Sequence, residues 1–336
     1  MKRVRMVELG RRHARVRQSV EERVLSVLRS GRYVGGAEVQ RAEAMLARRM
    51  GFRHGVGAAS GTQALVQMLR AADLRGRIAI PALSFFATAE AVLSAGCEAV
   101  VVDVLPDRPL MNPEALPACE GVLTVHLFGA RAPDVDHPVV LADAAQCMGW
   151  GWGRPQGLAA ALSLYPTKTL GAAGDGGAVL TDDPELAARA RRLGNHGMVA
   201  PHEHPEAGMN SRLDAVQAAV VLAHEVDLDR RVQRRRAIAD RIDALGMGFP
   251  RDPRDAVHQH IVMHPQRDRL RQALDDAGVD SAVYYPRPLD AQPPLGGTSR
   301  CPNALAFCAE ALAVPCHAEL QEDEIERVLA VLGAWT

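Results

Sequence analysis

Ser163-Leu164-Tyr165-Pro166-Thr167-Lys168, continued by Thr169-Leu170 and the glycine-rich run GAAGDGG at Gly171–Gly177, is the stretch that decides how this chain folds. It grows out of a short apolar run, Ala159–Leu164, and leads into another, Gly177–Thr181. Runs this short and this uniformly apolar read as strands buried on both faces. The run between them holds too much glycine for a helix, and glycine lets a backbone approach a ligand closely. A lysine at the end of a buried strand is partly desolvated, which lowers its pKa and frees the amine as a nucleophile.

That lysine is one of only two, Lys2 and Lys168, among 39 basic side chains, the others being arginine. Arginine replaces lysine in most surface roles, but its guanidinium stays protonated and cannot condense with an aldehyde. An internal lysine in such a chain therefore invites a chemical explanation.

Further apolar runs at Arg77–Ile80, Ala99–Val104, Val122–Leu127 and Val139–Ala142 alternate with helix-like stretches at Ala37–Met50, Thr62–Ala72, Thr88–Ala95 and Pro184–Leu193. This alternation predicts an α/β fold, a mostly parallel mixed sheet flanked by helices. A long helical stretch, Leu213–Ala244, bridges to a region of different grammar, with strands at His258–His264 and Ser281–Tyr285 and helices at Arg267–Ala277 and Asp323–Leu332. The expected division is a large domain over 1–225 and a smaller α+β domain over 226–336. DRRVQRRR at Asp229–Arg236 reads as a solvated face of the bridging helix.

The 336 residues are 48% apolar and carry 40 acidic against 39 basic groups, a net charge of −1. No overall field draws in nucleic acid or an anionic membrane, so the expected partner is a small molecule. A charged amino-terminal stretch without a signal-like apolar run, and no long apolar span, predict a cytoplasmic protein. Six cysteines without C-x-x-C spacing suggest neither a disulfide frame nor a metal site.

Four local signals fall where open α/β sheets place their ligands, at strand carboxyl ends and helix starts. Ser60-Gly61-Thr62 opens a helix and offers free N–H groups to a phosphate, although a simple helix cap reads the same way. Asp143 follows a buried strand and needs a cationic partner unless it too caps a helix. Lys168 supplies an amine, and Ser84-Phe85-Phe86 brings an aromatic ring that is either core or a stacking surface. A phosphate cradle, a ring platform, a carboxylate for a pyridinium nitrogen and an imine-forming amine together are what pyridoxal 5′-phosphate requires.

With these residues in place, the chain also resembles a family, the pyridoxal-phosphate-dependent sugar aminotransferases of the DegT/StrS type, which have the aspartate-aminotransferase-like fold (fold type I). The likeness runs through GRYVGG at Gly31–Gly36, SGTQAL at Ser60–Leu65, PALSFFATAEAVLSAG at Pro81–Gly96, VHLFG at Val125–Gly129 and DAAQ at Asp143–Gln146. It continues in SLYPTKTLGAAGDGG at Ser163–Gly177, NHG at Asn195–Gly197, NSRLDAVQAA at Asn210–Ala219 and YYPRPL at Tyr284–Leu289. The resemblance implies Lys168 as the Schiff-base lysine, Asp143 as the partner of the pyridine nitrogen and Gln146 beside the cofactor's phenolic oxygen. It implies phosphate contacts from Gly61, Thr62 and Ser163, stacking by Phe85, and Asn210 reaching the phosphate of a neighbouring subunit, so that a homodimer shares its active sites. L-Glutamate or L-glutamine is the expected amino donor and a keto-sugar, nucleotide-linked, the acceptor.

Departures from the family pattern fall outside these cofactor positions. Ala142 stands where the family has Glu, Met148 where it has His, and Asp290 where a histidine usually follows YYPRPL. Asp290, in a segment that the resemblance places near the substrate, and Arg212 are the expected substrate contacts. A keto-cyclitol or an aromatic-precursor ketone remains an alternative acceptor, and a non-catalytic regulatory protein that binds pyridoxal phosphate an alternative of another class. A keto-sugar dehydratase on the same fold is disfavoured, because those relatives have histidine where this chain has Lys168.

Overall fold

The computed structural model describes residues 2–336. Two helices, α1 (Leu9–Ser30) and α2 (Gly36–Arg49), precede strand β1 (His54–Ala58), followed by α3 (Gly61–Ala71), β2 (Arg77–Pro81), α4 (Ala87–Ser94) and β3 (Glu98–Val102). Next come β4 (Gly121–Val125), β5 (Val140–Asp143), β6 (Ala159–Ser163), β7 (Gly177–Thr181) and α5 (Pro184–Gly194). The chain then runs through α6 (Ala215–Glu225), α7 (Leu228–Asp243), β8 (His260–Met263), α8 (Arg267–Asp276), α9 (Pro302–Glu310), β9 (Ala311–Val314) and α10 (Glu322–Gly333).

The seven strands β1 to β7 form one sheet in the order β1-β7-β6-β5-β4-β2-β3. Pairings from β3 to β6 are parallel, and β7 alone runs antiparallel to both its neighbours. Side chains alternate along the strands. Ala142, Ala160, Leu162 and Leu180 pack on the side of α2 and α6, while Leu141, Ala161 and Val179 pack with α3, α4 and α5 on the other. The expected large mostly parallel sheet between helical layers is therefore what the chain forms.

The small module has its own core, in which Ile238 and Ile242 of α7 meet Val262, Leu274, Leu312 and Val328. Val4, from the start of the chain, packs into this core and pairs with Val279.

Three local expectations are corrected. The stretch 213–244 is not one helix: α6 ends at Glu225 and α7 begins at Leu228. Ser281–Tyr285 makes only a single bridge, Ala282 to Ala313, rather than a strand. DRRVQRRR is not a solvated face, since Arg231 is 2% and Arg235 8% exposed. Both lie on the helical stripe of Leu228, Val232, Ile238 and Ile242, so the apolar side of α7 carries them inward.

Candidate active site

The parallel strands deliver their carboxyl ends to one cavity of about 700 Å³. β1 leads to Ser60–Thr62, β2 to Ser84 and Phe85, β4 to His126, β5 to Asp143 and Gln146, and β6 to Ser163 and Lys168, all of which line it. The small module closes the opposite side with His258, Gln259, Tyr284 and Tyr285.

At the phosphate end, Ser60 caps α3 by accepting from Gln63 N (3.1 Å), leaving the first N–H groups of the helix available. Backbone and side chain crowd together here. A Cβ on Gly61 would stand 2.7 Å from Ser163 Cβ, and one on Gly177 would stand 2.4 Å from Ser60 O. Glycine is thus required for β6, β7 and the start of α3 to converge. Gly61→Ala is expected to push the helix start away from Ser163 and weaken cofactor binding about tenfold, with a stability loss of about 1–3 kcal/mol from overpacking. Equilibrium dialysis with pyridoxal phosphate checks this, and an unchanged affinity would remove Gly61 and Ser163 from the phosphate site.

Asp143 ends β5 and is buried. Thr88 Oγ1 donates to its Oδ2 (2.8 Å) and Ala145 N to its Oδ1 (3.1 Å), while Ser84 Oγ lies 2.6 Å from Thr88 Oγ1. Among the described residues no cation comes within ion-pair distance of this carboxylate. Burial pushes its pKa up, partly opposed by the Thr88 hydroxyl and the Ala145 N–H. Burial pushes the Lys168 amine the other way, below the usual lysine value, with the negative charge of Asp143 acting against the shift. An amine pushed toward its neutral form and a carboxylate lacking a cation therefore share one enclosed space.

Gln146 is oriented by its neighbour, since Phe128 N donates to its Oε1, which leaves the amide N–H groups to face elsewhere. Phe85 is 63% exposed and its ring lies 6.4 Å from that of Tyr285, at the cavity wall. His126 accepts from Ala132 N through Nδ1 (3.0 Å), so its neutral ring carries the proton on Nε2, which has no partner. Burial holds its pKa down at about 3.

These residues fit pyridoxal 5′-phosphate: the glycine-lined cradle, the buried carboxylate without a cation and the desolvated amine are each matched by a part of that molecule. Gly61, Thr62, Phe85, Asp143, Gln146, Ser163 and Lys168 all line the cavity.

Asn210, Arg212 and Asp290 do not. Asn210 is exposed, and Arg212 donates to Asn195 Oδ1 (2.7 Å) and Asn210 Oδ1 (2.6 Å). Asp290 is buried in a short turn, where its Oδ2 accepts from Arg300 N (2.7 Å) while its Oδ1 has no partner. Thr88, His126 and the Tyr284-Tyr285 pair sit inside quoted motifs and His258 opens an expected strand, but nothing local in the sequence distinguishes a cavity-facing histidine or tyrosine from a core one. Among the described residues no cluster of side chains is suited to hold a metal ion.

The DegT/DnrJ/EryC1/StrS aminotransferase family model matches residues 15–333. A dTDP-3-amino-3,4,6-trideoxy-alpha-D-glucose transaminase of Streptomyces venezuelae is 34% identical over 365 aligned positions, covering 99% of this chain and 96% of that protein. A UDP-N-acetyl-3-dehydro-alpha-D-glucosamine 3-aminotransferase of Acidithiobacillus ferrooxidans is 34% identical, covering 97% of this chain and 96% of its own length. The crystal structure of S. venezuelae DesV in complex with a ketimine intermediate superimposes with a TM-score of 0.93 at 32% identity, over 100% of this chain and 99% of that one. With its amine and carboxylate brought together as that chemistry needs, the chain belongs to the DegT/DnrJ/EryC1/StrS family and is a pyridoxal-phosphate-dependent aminotransferase.

Proposed function

We propose that the chain carries an amino group from L-glutamate or L-glutamine to the ketone carbon of a nucleotide-linked keto-sugar. The observation that carries this reading is the half-buried Lys168 amine and the buried Asp143 carboxylate lining one cavity of about 700 Å³, in a chain similar to proteins named for dTDP- and UDP-linked amino sugars. The volume lies within the usual range of small-molecule sites.

When bound, pyridoxal 5′-phosphate supplies an aldehyde carbon and a protonated ring that takes up an electron pair. Gly61, Thr62 and Ser163 would hold its phosphate and Phe85 would lie against its ring. Asp143 would keep a proton on the ring nitrogen, and Gln146 would direct its amide N–H toward the phenolic oxygen. Lys168, its neutral form favoured by burial, is suited to take the proton from the donor's α-carbon and, in the reverse stage, to deliver one to the carbon that was the acceptor's ketone. Tyr284, Tyr285 and His258 shield this transfer from bulk water on the small-module side.

The reading includes a homodimer. Asn210, exposed and away from its own chain's cavity wall, would present its amide to the phosphate in a second copy.

The test loads the protein with cofactor, aminates it with L-glutamate or L-glutamine in turn, and offers dTDP- and UDP-linked keto-hexoses beside keto-cyclitols. Amination of a keto-sugar nucleotide, read by product mass, is the expected result. Turnover confined to a keto-cyclitol would replace the proposed acceptor.

A further inference from the structure

Below the cavity, the turn that carries Lys168 is held by side chains from outside the sheet. The carbonyls of Pro166, Lys168, Thr169 and Gly171 receive no N–H from the described backbone. A buried carbonyl left unpaired is costly, so the partners that these oxygens do have identify what holds the turn. Arg12 of α1 donates to Lys168 O (3.0 Å) and Pro166 O (2.9 Å), with Gly171 O at 3.5 Å. Arg231 of α7 donates to Thr169 O and, at 3.0 Å, to His224 O. His224 of α6 closes the set through Nδ1 to Gly171 O (2.8 Å).

The choice of residue is informative. His224 shows that a neutral donor suffices for one carbonyl, yet the other three are held by guanidinium groups that are 6% and 2% exposed. Burial lowers the pKa of each arginine to about 10, and neither has a carboxylate at hydrogen-bond distance, Asp227 being 3.8 Å from Arg231. Sequestering two like charges this way is expensive unless their geometry is needed. A guanidinium offers donors on separate nitrogens in a rigid planar fork that spans two carbonyls at once, a fixed geometry that the single nitrogen of a lysine or an amide does not supply.

We propose that Arg12 and Arg231 are positioning residues for Lys168. They fix the backbone from which its amine works, so that the side chain swings between bonding the cofactor and moving protons while its Cα stays still. The packing of α1, α6 and α7 on one another is thereby coupled to the position of the amine. The inference rests on Lys168 as the reacting amine and is independent of which ketone is the acceptor. The titratable groups facing that amine are Asp143, Cys147 and His258.

The scarcity of lysine supplies the test. In cofactor-free full-length protein, acetic anhydride labels Lys168 and the exposed Lys2, and a peptide map across pH gives the midpoint of each, Lys2 serving as the internal reference. Arg12→Lys keeps the charge and removes the fork. The turn then relaxes, the amine gains water, and the Lys168 midpoint is expected to rise by about half a unit or more. The donor half-reaction of the loaded enzyme should slow about tenfold, reflecting a misplaced base. If Arg12→Lys does not fold, Arg231→Lys answers the same question. A Lys168 midpoint that stays at the wild-type value in the folded variant, whatever its melting temperature, would overturn the proposal, because a purely structural role lowers stability without moving that midpoint. Neither readout uses a keto acceptor, so a wrong acceptor leaves this result untouched.

Discussion

Lys168→Ala is expected to lower amino transfer by about four orders of magnitude and to leave no cofactor fixed to the protein after borohydride reduction, while the fold survives. The expectation of survival comes from where the side chain ends. Its removal widens a cavity of about 700 Å³ already present, instead of opening a new closed void, so the usual penalty for a large-to-small core change does not apply in full. Removing a buried amine also relieves its desolvation. The melting temperature should therefore stay within about 4 °C of wild type.

Lys168→Arg separates charge from chemistry at the same position. It keeps a cation there but never presents a neutral nitrogen, so it should be as inactive as the alanine variant. Single-turnover measurements with glutamate and a peptide map after reduction check both. Either variant turning over within tenfold of wild type would end the role given to Lys168.

How much of this was legible in the sequence depends on which partners a residue meets. The central strands were legible because burial on both faces leaves an unbroken apolar run, as in Gly177–Thr181, which matches β7. β1, His54–Ala58, was not. Its sequence HGVGA holds glycines at 55 and 57 because a Cβ there would strike Glu43 O at 2.5 Å and Leu213 Cβ at 2.6 Å, contacts made by residues distant in the chain. β9 escaped notice because α9 passes into it at Ala311 without a turn residue. α1 was hidden by its charge: its buried residues are Arg12, Val20 and Val27 alone, and its apolar side is completed by packing on α6.

The site divides along the same line. Lys168 and Asp143 could be read because each breaks an apolar strand end with a group that burial would penalise. Arg12 and Arg231 could not, since what they bind is backbone carbonyl, which every sequence has and no motif marks. Asp290 shows the converse: a carboxylate near a motif is as readily turned onto a loop N–H as toward a substrate, and its Oδ2 accepts from Arg300 N.

Asp143→Asn is expected to act in opposite directions on the cofactor-free and the loaded protein. In the free protein, burial raises the folded carboxyl above its ordinary value of 3.8. Its stabilising contribution is complete below the unfolded value and is lost as pH rises through the raised folded one. An asparagine, never charged, does not lose it. The cofactor-free variant should therefore match wild type near pH 4 and melt progressively higher than wild type as pH increases toward neutrality. In the loaded protein the carboxylate would have a cation to meet, and the penalty would become the source of binding: in the proposed role Asp143 would hold the ring proton through a charge-assisted contact that an amide does not replace. The donor half-reaction of Asp143→Asn should then be slower by about 10²–10³, and the gain in melting temperature on adding cofactor should shrink. Thermal scans of both forms between pH 4 and 8, with stopped-flow mixing against glutamate, separate the two effects. A half-reaction within threefold of wild type would remove Asp143 from the ring nitrogen. A melting difference in the free protein that does not vary with pH would mean that the carboxyl is not held charged against its burial.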